Sequence, residues 1–92
     1  MKSIFVYEFE DYIIRTIGII NVQRVLKNVR QVLQRVSGGN PITEINGKIL
    51  QAVLYEARLM KNEPDVNEWL MDDVKVLYNF CVKNGVLLEA AD

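Results

Sequence analysis

The chain has 92 residues, half of them apolar and a quarter charged, with only two prolines and five glycines. This excludes a disordered tail, a collagen-like fibre and a low-complexity linker, and it leaves room for one domain with a single modest core. The formal net charge is −1 and histidine is absent, which removes the side chain most used for general acid–base work and for transition-metal ligation.

The small net charge conceals an asymmetry. Residues 1–40 carry six basic and three acidic groups, or +3, whereas residues 41–92 carry five and nine, or −4, so each half can seek the other or a partner. The lone Cys81 cannot close an intrachain disulfide, the thiol usage of a reducing compartment. The apolar run Ile4–Tyr7 is cut short by Glu8, Glu10 and Asp11, and no stretch approaches the roughly 18 apolar residues of a bilayer span. The expectation is a cytoplasmic protein with no membrane segment, folded as one helical domain over residues 1–92.

In chain order, residues 4–20 are ambiguous. Five isoleucines between positions 13 and 20 favour a strand by propensity. Periodicity favours a helix from about Glu8: Glu8, Asp11, Arg15 and Gly18 draw one polar stripe, with Phe9, Tyr12, Ile13, Thr16, Ile17 and Ile20 opposite and a kink near Gly18. A hairpin of strands 3–9 and 12–20 is the alternative.

Residues 21–36 carry the clearest signal. A seven-residue unit is written nearly twice, placing Val22, Val25, Leu26, Val29, Val32, Leu33 and Val36 on one helical face, and Ser37-Gly38-Gly39-Asn40 stops it. The repeat invites a coiled-coil seam, but its upstream equivalents are Arg15 and Gly18, so packing within one bundle is favoured.

Asn40-Pro41 predicts the start of a second long helix, with Asn as N-cap and proline in the first turn. Ile42, Ile45, Ile49, Val53, Ala57 and Met60 form its stripe, widened by Leu50 and Leu54 and running to about Lys61. After Asn62-Glu63-Pro64, Asp65 and Glu68 are spaced as a capping box opening a helix over 65–84, with Val66, Trp69, Leu70, Val74, Leu77, Phe80 and Cys81 inward. Asn84-Gly85-Val86 reads as its Schellman stop. Loops this short predict an all-α antiparallel bundle of three to four helices; the alternative is an α+β chain with an N-terminal β-hairpin over 3–20 and three helices.

The inventory of reactive groups is sparse. Gly39 and Gly47-Lys48 lack phosphate-loop spacing, and Ile49 stands where a magnesium-binding hydroxyl is needed. Cys81, flanked by Phe80 and Val82, has no histidine to activate it and reads as a small buried hydrophobe. No catalytic residue, cofactor site or metal site is expected.

Two charged faces stand out. Arg24, Lys27, Arg30 and Arg35 form a basic face on 21–36 that suits phosphate contacts, although no aromatic interleaves them to stack on bases. Asp65, Glu68, Asp72 and Asp73 form an acidic face; the first three share one side of the predicted helix, yet helix-start acids are explained by the macrodipole and lack a calcium-loop pattern.

Apolar residues exceed what one stripe can bury. Met71, Val76, Tyr78 and Val82 lie off the main stripe of 65–84, Ile14 and Ile19 widen the N-terminal face, and Trp69 is the largest anchor. The function expected is therefore a non-enzymatic protein–protein interaction module, such as a small regulator, inhibitor, adaptor or assembly factor, and a homodimer. Trp69, Met71, Tyr78, Val82 and Ile14 are its candidate partner-binding residues. The alternative is a nucleic-acid-binding helical protein using the basic face. No motif singles out a family.

Overall fold

The computed structural model describes residues 2–88. These form an antiparallel helical bundle with a small two-stranded sheet in the order β1 (Ser3–Phe5), α1 (Val6–Thr16), α2 (Ile19–Ser37), β2 (Glu44–Asn46), α3 (Gly47–Met60) and α4 (Leu70–Lys83). Helix α2 is central and packs against α1, α3 and α4.

Residues 6–16 follow their helical period. The carboxylate of Glu8 accepts the Phe5 N–H at 2.7 Å, which satisfies a donor left over at the helix start. Phe9 and Ile13, four residues apart, are buried, and Phe80 meets Phe9 edge-on at 5.7 Å between ring centroids. The helix breaks at Ile17 and Gly18, both extended, and α2 restarts with Asn21 N–H donating to the Gly18 carbonyl. The break resets the helical phase. Ile20, expected on the apolar side, is therefore 88 % exposed, and Thr16, at the last position of α1, is exposed as well.

The face expected on α2 is present: Val22, Val25, Leu26, Val29, Val32 and Leu33 are buried, and Val36 packs at the edge of the core. Gly38, at φ 67°, and Gly39, at φ 98°, take left-handed conformations, and both amides return to the Gln34 carbonyl.

Beyond this point the long predicted helices are shorter. A strand does lie near the N-terminus, but its partner is β2 rather than residues 12–20: Ser3, Ile4 and Phe5 face Asn46, Ile45 and Glu44 in an antiparallel pair. Ile4 and Ile45 meet at its centre and are both buried. Because residues 44–46 are taken by this pairing, Asn40-Pro41 cannot open a helix. The cap is Asn46, whose Oδ1 accepts the Ile49 N–H at 2.9 Å.

Helix α4 likewise opens at Leu70, not at Asp65. Within 63–69, Val66 N–H donates to the Glu63 carbonyl, and Asn67 Oδ1 accepts the Trp69 N–H at 2.7 Å. Such side-chain-to-backbone bonds compete with helix, so Asp65 and Glu68 form no capping box. The far end is as expected. Gly85 has φ 87°, Val86 N–H donates to the Cys81 carbonyl, and Val86 is fully buried.

Candidate functional site

The α3–α4 seam leaves an apolar groove of about 370 Å³. On α4, Met71, Lys75 and Tyr78 project along one stripe at four- and three-residue spacing; on α3, Leu54 and Arg58 face them at the same spacing, and Leu88 lies at the rim. The stripe arises because α4 turns Leu70, Val74, Leu77 and Cys81 into the core, which leaves Met71 and Tyr78 half-buried and Val82 exposed a turn further on. Tyr55 and Leu59, one residue on from Leu54 and Arg58, add exposed apolar surface to α3.

Two of the five residues expected to bind a partner, Met71 and Tyr78, thus come together, with Val82 continuing their stripe. The other two lie elsewhere. Trp69 is half-exposed over the guanidinium of Arg24, 5.0 Å from Cζ to the ring centroid, on the α2 side of α4. Ile14 is exposed on α1. Across the Ile17–Gly18 break, Ile19 and Ile20 are 91 % and 88 % exposed, the most open large apolar side chains among the described residues. The α3 wall, Leu54 and Arg58, was not anticipated as part of a site. The available signal was that α3 carries apolar residues on more than one side, at Leu54, Tyr55 and Leu59.

The arginines of the basic face are paired within the chain, one of them with the acidic face. Arg24 forms a two-point ion pair with Asp73, Nε to Oδ2 and Nη2 to Oδ1 at 3.0 Å each, and Asn28 Nδ2 donates to the same Oδ2 at 2.8 Å. Asp73 is only 2 % exposed. The hydrogen bond to Asp73, reinforced by its charge and opposed by desolvation, holds the Arg24 guanidinium above its ordinary pKa. Arg30 donates to Glu10 at 2.8 Å, and Arg35 donates through Nη1 to Glu63 at 3.1 Å. The bond from Arg35 holds the Glu63 carboxyl below the usual carboxylate range, and Arg35 is raised in turn. Of the basic face only Lys27 has no carboxylate within ion-pair distance among the described residues. It lines a polar cleft of about 430 Å³ that Asp65 also lines.

The acidic residues do not converge on one another. Asp65 and Glu68 sit in turns ahead of α4, so the helical alignment with Asp72 is absent, and no group of three or more cysteine, aspartate or glutamate side chains among the described residues is placed to hold a metal ion. Cys81 is fully buried, and desolvation pushes its thiol up to about 12. No described helix is long and apolar enough to cross a membrane. Neither a protein-family model, nor a curated protein, nor a solved structure matches the chain.

Proposed function

We propose that this chain is a non-enzymatic interaction module that docks another protein into the α3–α4 groove. The observation that supports it is the apolar lining itself: Leu54, Met71 and Tyr78 are only half-buried along the seam of two packed helices, with Leu88 exposed at its rim. Surface of this kind is costly to leave wet and serves as an anchor pocket when a partner fills it. A small inhibitor, adaptor or assembly factor works in this way, by occupying a surface of its target. The unpaired, buried Cys81 is consistent with a cytoplasmic setting.

The module self-pairs in this reading, and the support is the Ile14, Ile19 and Ile20 surface around the α1–α2 break. Docking and pairing therefore separate by mutation. Tyr78→Ala combined with Leu54→Ala should abolish capture of the partner from the source cell while leaving the circular dichroism spectrum and the dimer mass unchanged. Ile19→Lys with Ile20→Lys should convert a dimer to a monomer in sedimentation equilibrium and leave capture intact. Partner capture that survives the groove double variant overturns the docking assignment, and a wild-type protein that sediments as a monomer at high concentration overturns the pairing.

A further inference from the structure

The groove has a charge as well as a shape, and together they select a kind of partner. Arg58 on α3 and Lys75 on α4 stand on its opposite walls, and neither has a carboxylate within ion-pair distance among the described residues. This contrasts with α2, where Arg24, Arg30 and Arg35 are each matched within the chain by Asp73, Glu10 and Glu63. One acid, Asp72, lies at the α4 N-terminal end of the groove, so the lining is net positive.

The backbone chemistry of the walls narrows the partner further. A β-strand segment binds by pairing its own N–H and C=O groups with an open sheet edge. The walls here are helices of 14 residues each, whose amides and carbonyls are bonded internally. A helical partner arrives with its backbone already satisfied and needs to present only side chains. Met71 and Tyr78, seven residues apart on α4, are separated by about 10 Å along the helix axis, a span that two anchors of a second helix at the same spacing match.

We infer that the groove takes an amphipathic helix of another protein whose apolar stripe is flanked by acidic residues, with Met71, Tyr78 and Leu54 receiving the stripe and Arg58 and Lys75 receiving the acids. This rests on the groove being the docking site. Charge selects among helices that shape alone would admit, because like charges juxtaposed at an interface are strongly disfavoured and opposite charges speed encounter.

The test uses three fluorescein-labelled helical peptides of about 18 residues, long enough to hold some helix in water. They share one leucine stripe and carry glutamate, glutamine or lysine on its flanks. Titrated with the full chain at low salt, the glutamate peptide should bind roughly tenfold tighter than the lysine peptide by fluorescence anisotropy. Salt should narrow the gap, since exposed charges are screened. Arg58→Glu with Lys75→Glu, both on exposed positions, should reverse the order, and Met71→Ala with Tyr78→Ala should weaken all three peptides together. Equal binding of the three peptides, all weakened by the Met71 and Tyr78 substitutions, overturns the acidic assignment while the groove remains a docking site. Binding of the glutamate peptide that ignores the Met71 and Tyr78 substitutions places it elsewhere and overturns the inference. Failure of every peptide overturns the helical partner, and if partner capture also survives the groove double variant, the docking assignment falls with it.

Discussion

Arg24 holds both carboxylate oxygens of Asp73 at 3.0 Å and so ties the basic stretch of α2 to the acidic start of α4 across 49 positions of sequence. Asn28 satisfies Oδ2 from the other side and Trp69 covers the guanidinium, so a nearly fully buried charge has donors on both oxygens. Breaking such an arrangement from one side leaves a charge buried without its partner, whereas replacing both members by apolar groups of similar size removes the desolvation cost with the attraction. Arg24→Met should therefore lower the melting temperature by at least ~5 °C, and Arg24→Met with Asp73→Leu should recover part of that loss, the remainder being the buried Asn28 amide left without its acceptor. Trp69 is the only tryptophan, so its emission reports the contact directly and should shift in Arg24→Met. A double variant less stable than the single one would contradict this account of Asp73.

Asn40 is the helix cap expected from the sequence, and the structure places the cap at Asn46 instead. Asn46 Oδ1 accepts the Ile49 N–H at 2.9 Å, whereas Asn40 lies in the turn after α2, where its side chain makes only a 3.4 Å contact from Nδ2 to the Ser37 carbonyl. Asn46→Ala should cost about 1 kcal/mol, the usual loss for an N-cap. Asn40→Ala should cost a few tenths at most, the ordinary range for exposed positions. Urea midpoints of the two variants decide the matter, and equal losses would count against Asn46 as the cap.

That pair of asparagines shows where a sequence reading runs out. Local signals were legible: the valine–leucine face of α2, the Gly38-Gly39 stop and the Gly85-Val86 stop each depend on residues within a turn or two of one another. Long-range pairing was not. Ile45 fits the apolar stripe of a helix over 41–61 and also fits the centre of a strand, and only its meeting with Ile4 decides between them. The same holds for the site. Met71, Tyr78 and Val82 stand out on α4 because they lie off its core stripe, but that Leu54 and Arg58 form the facing wall follows from how α3 packs. The charges of Arg24 and Asp73 were equally plain from the sequence, yet their pairing was not, and a basic face that looked available to partners proves to be largely engaged within the chain.

This engagement bears on nucleic acid. Arg24, Arg30 and Arg35 each hold a carboxylate, and Lys27 shares its cleft with Asp65, so the face carries little net positive field. Phosphate binding would have to displace intrachain partners, including the buried Asp73. The purified chain should leave duplex DNA and single-stranded RNA unshifted in a native gel even at about 50 mM salt, where phosphate-driven binding is strong. A shift that fades with salt and vanishes in Lys27→Gln would restore the basic face as a binding surface.

The Arg35–Glu63 pair predicts an acid dependence whose sign is fixed. Glu63 has a folded-state pKa below its ordinary 4.5, because Arg35 donates to the ionised carboxylate. Its contribution is therefore complete above pH 4.5 and is lost as pH falls from there through the lower folded value. Both side chains are partly exposed, so the effect is small and shrinks with salt. Urea midpoints measured from pH ~5 downward should fall more steeply for the wild type than for Glu63→Gln. Parallel curves at low salt would remove the pair from any role in acid stability.

At the alkaline end the relevant group is Cys81. Burial against the core of α4 pushes its thiol from an ordinary 9.0 up to about 12, so folding favours the protonated form. At pH 8 the thiol is held in its protonated form, and the fully buried sulfur offers a reagent no approach. Iodoacetamide should therefore label the unfolded chain quickly and the native protein only as fast as it opens, so the labelling rate should rise with urea in step with unfolding. The stability that Cys81 contributes is complete below pH 9.0 and declines as pH climbs from there toward 12. Cys81→Ala should be less stable at neutral pH because it leaves a small void, yet it should lose less stability between those two values than the wild type does. Rapid labelling of the native protein at neutral pH, without any loss of structure, would mean that the sulfur is reachable and that Cys81 is not the inert core residue its surroundings make it.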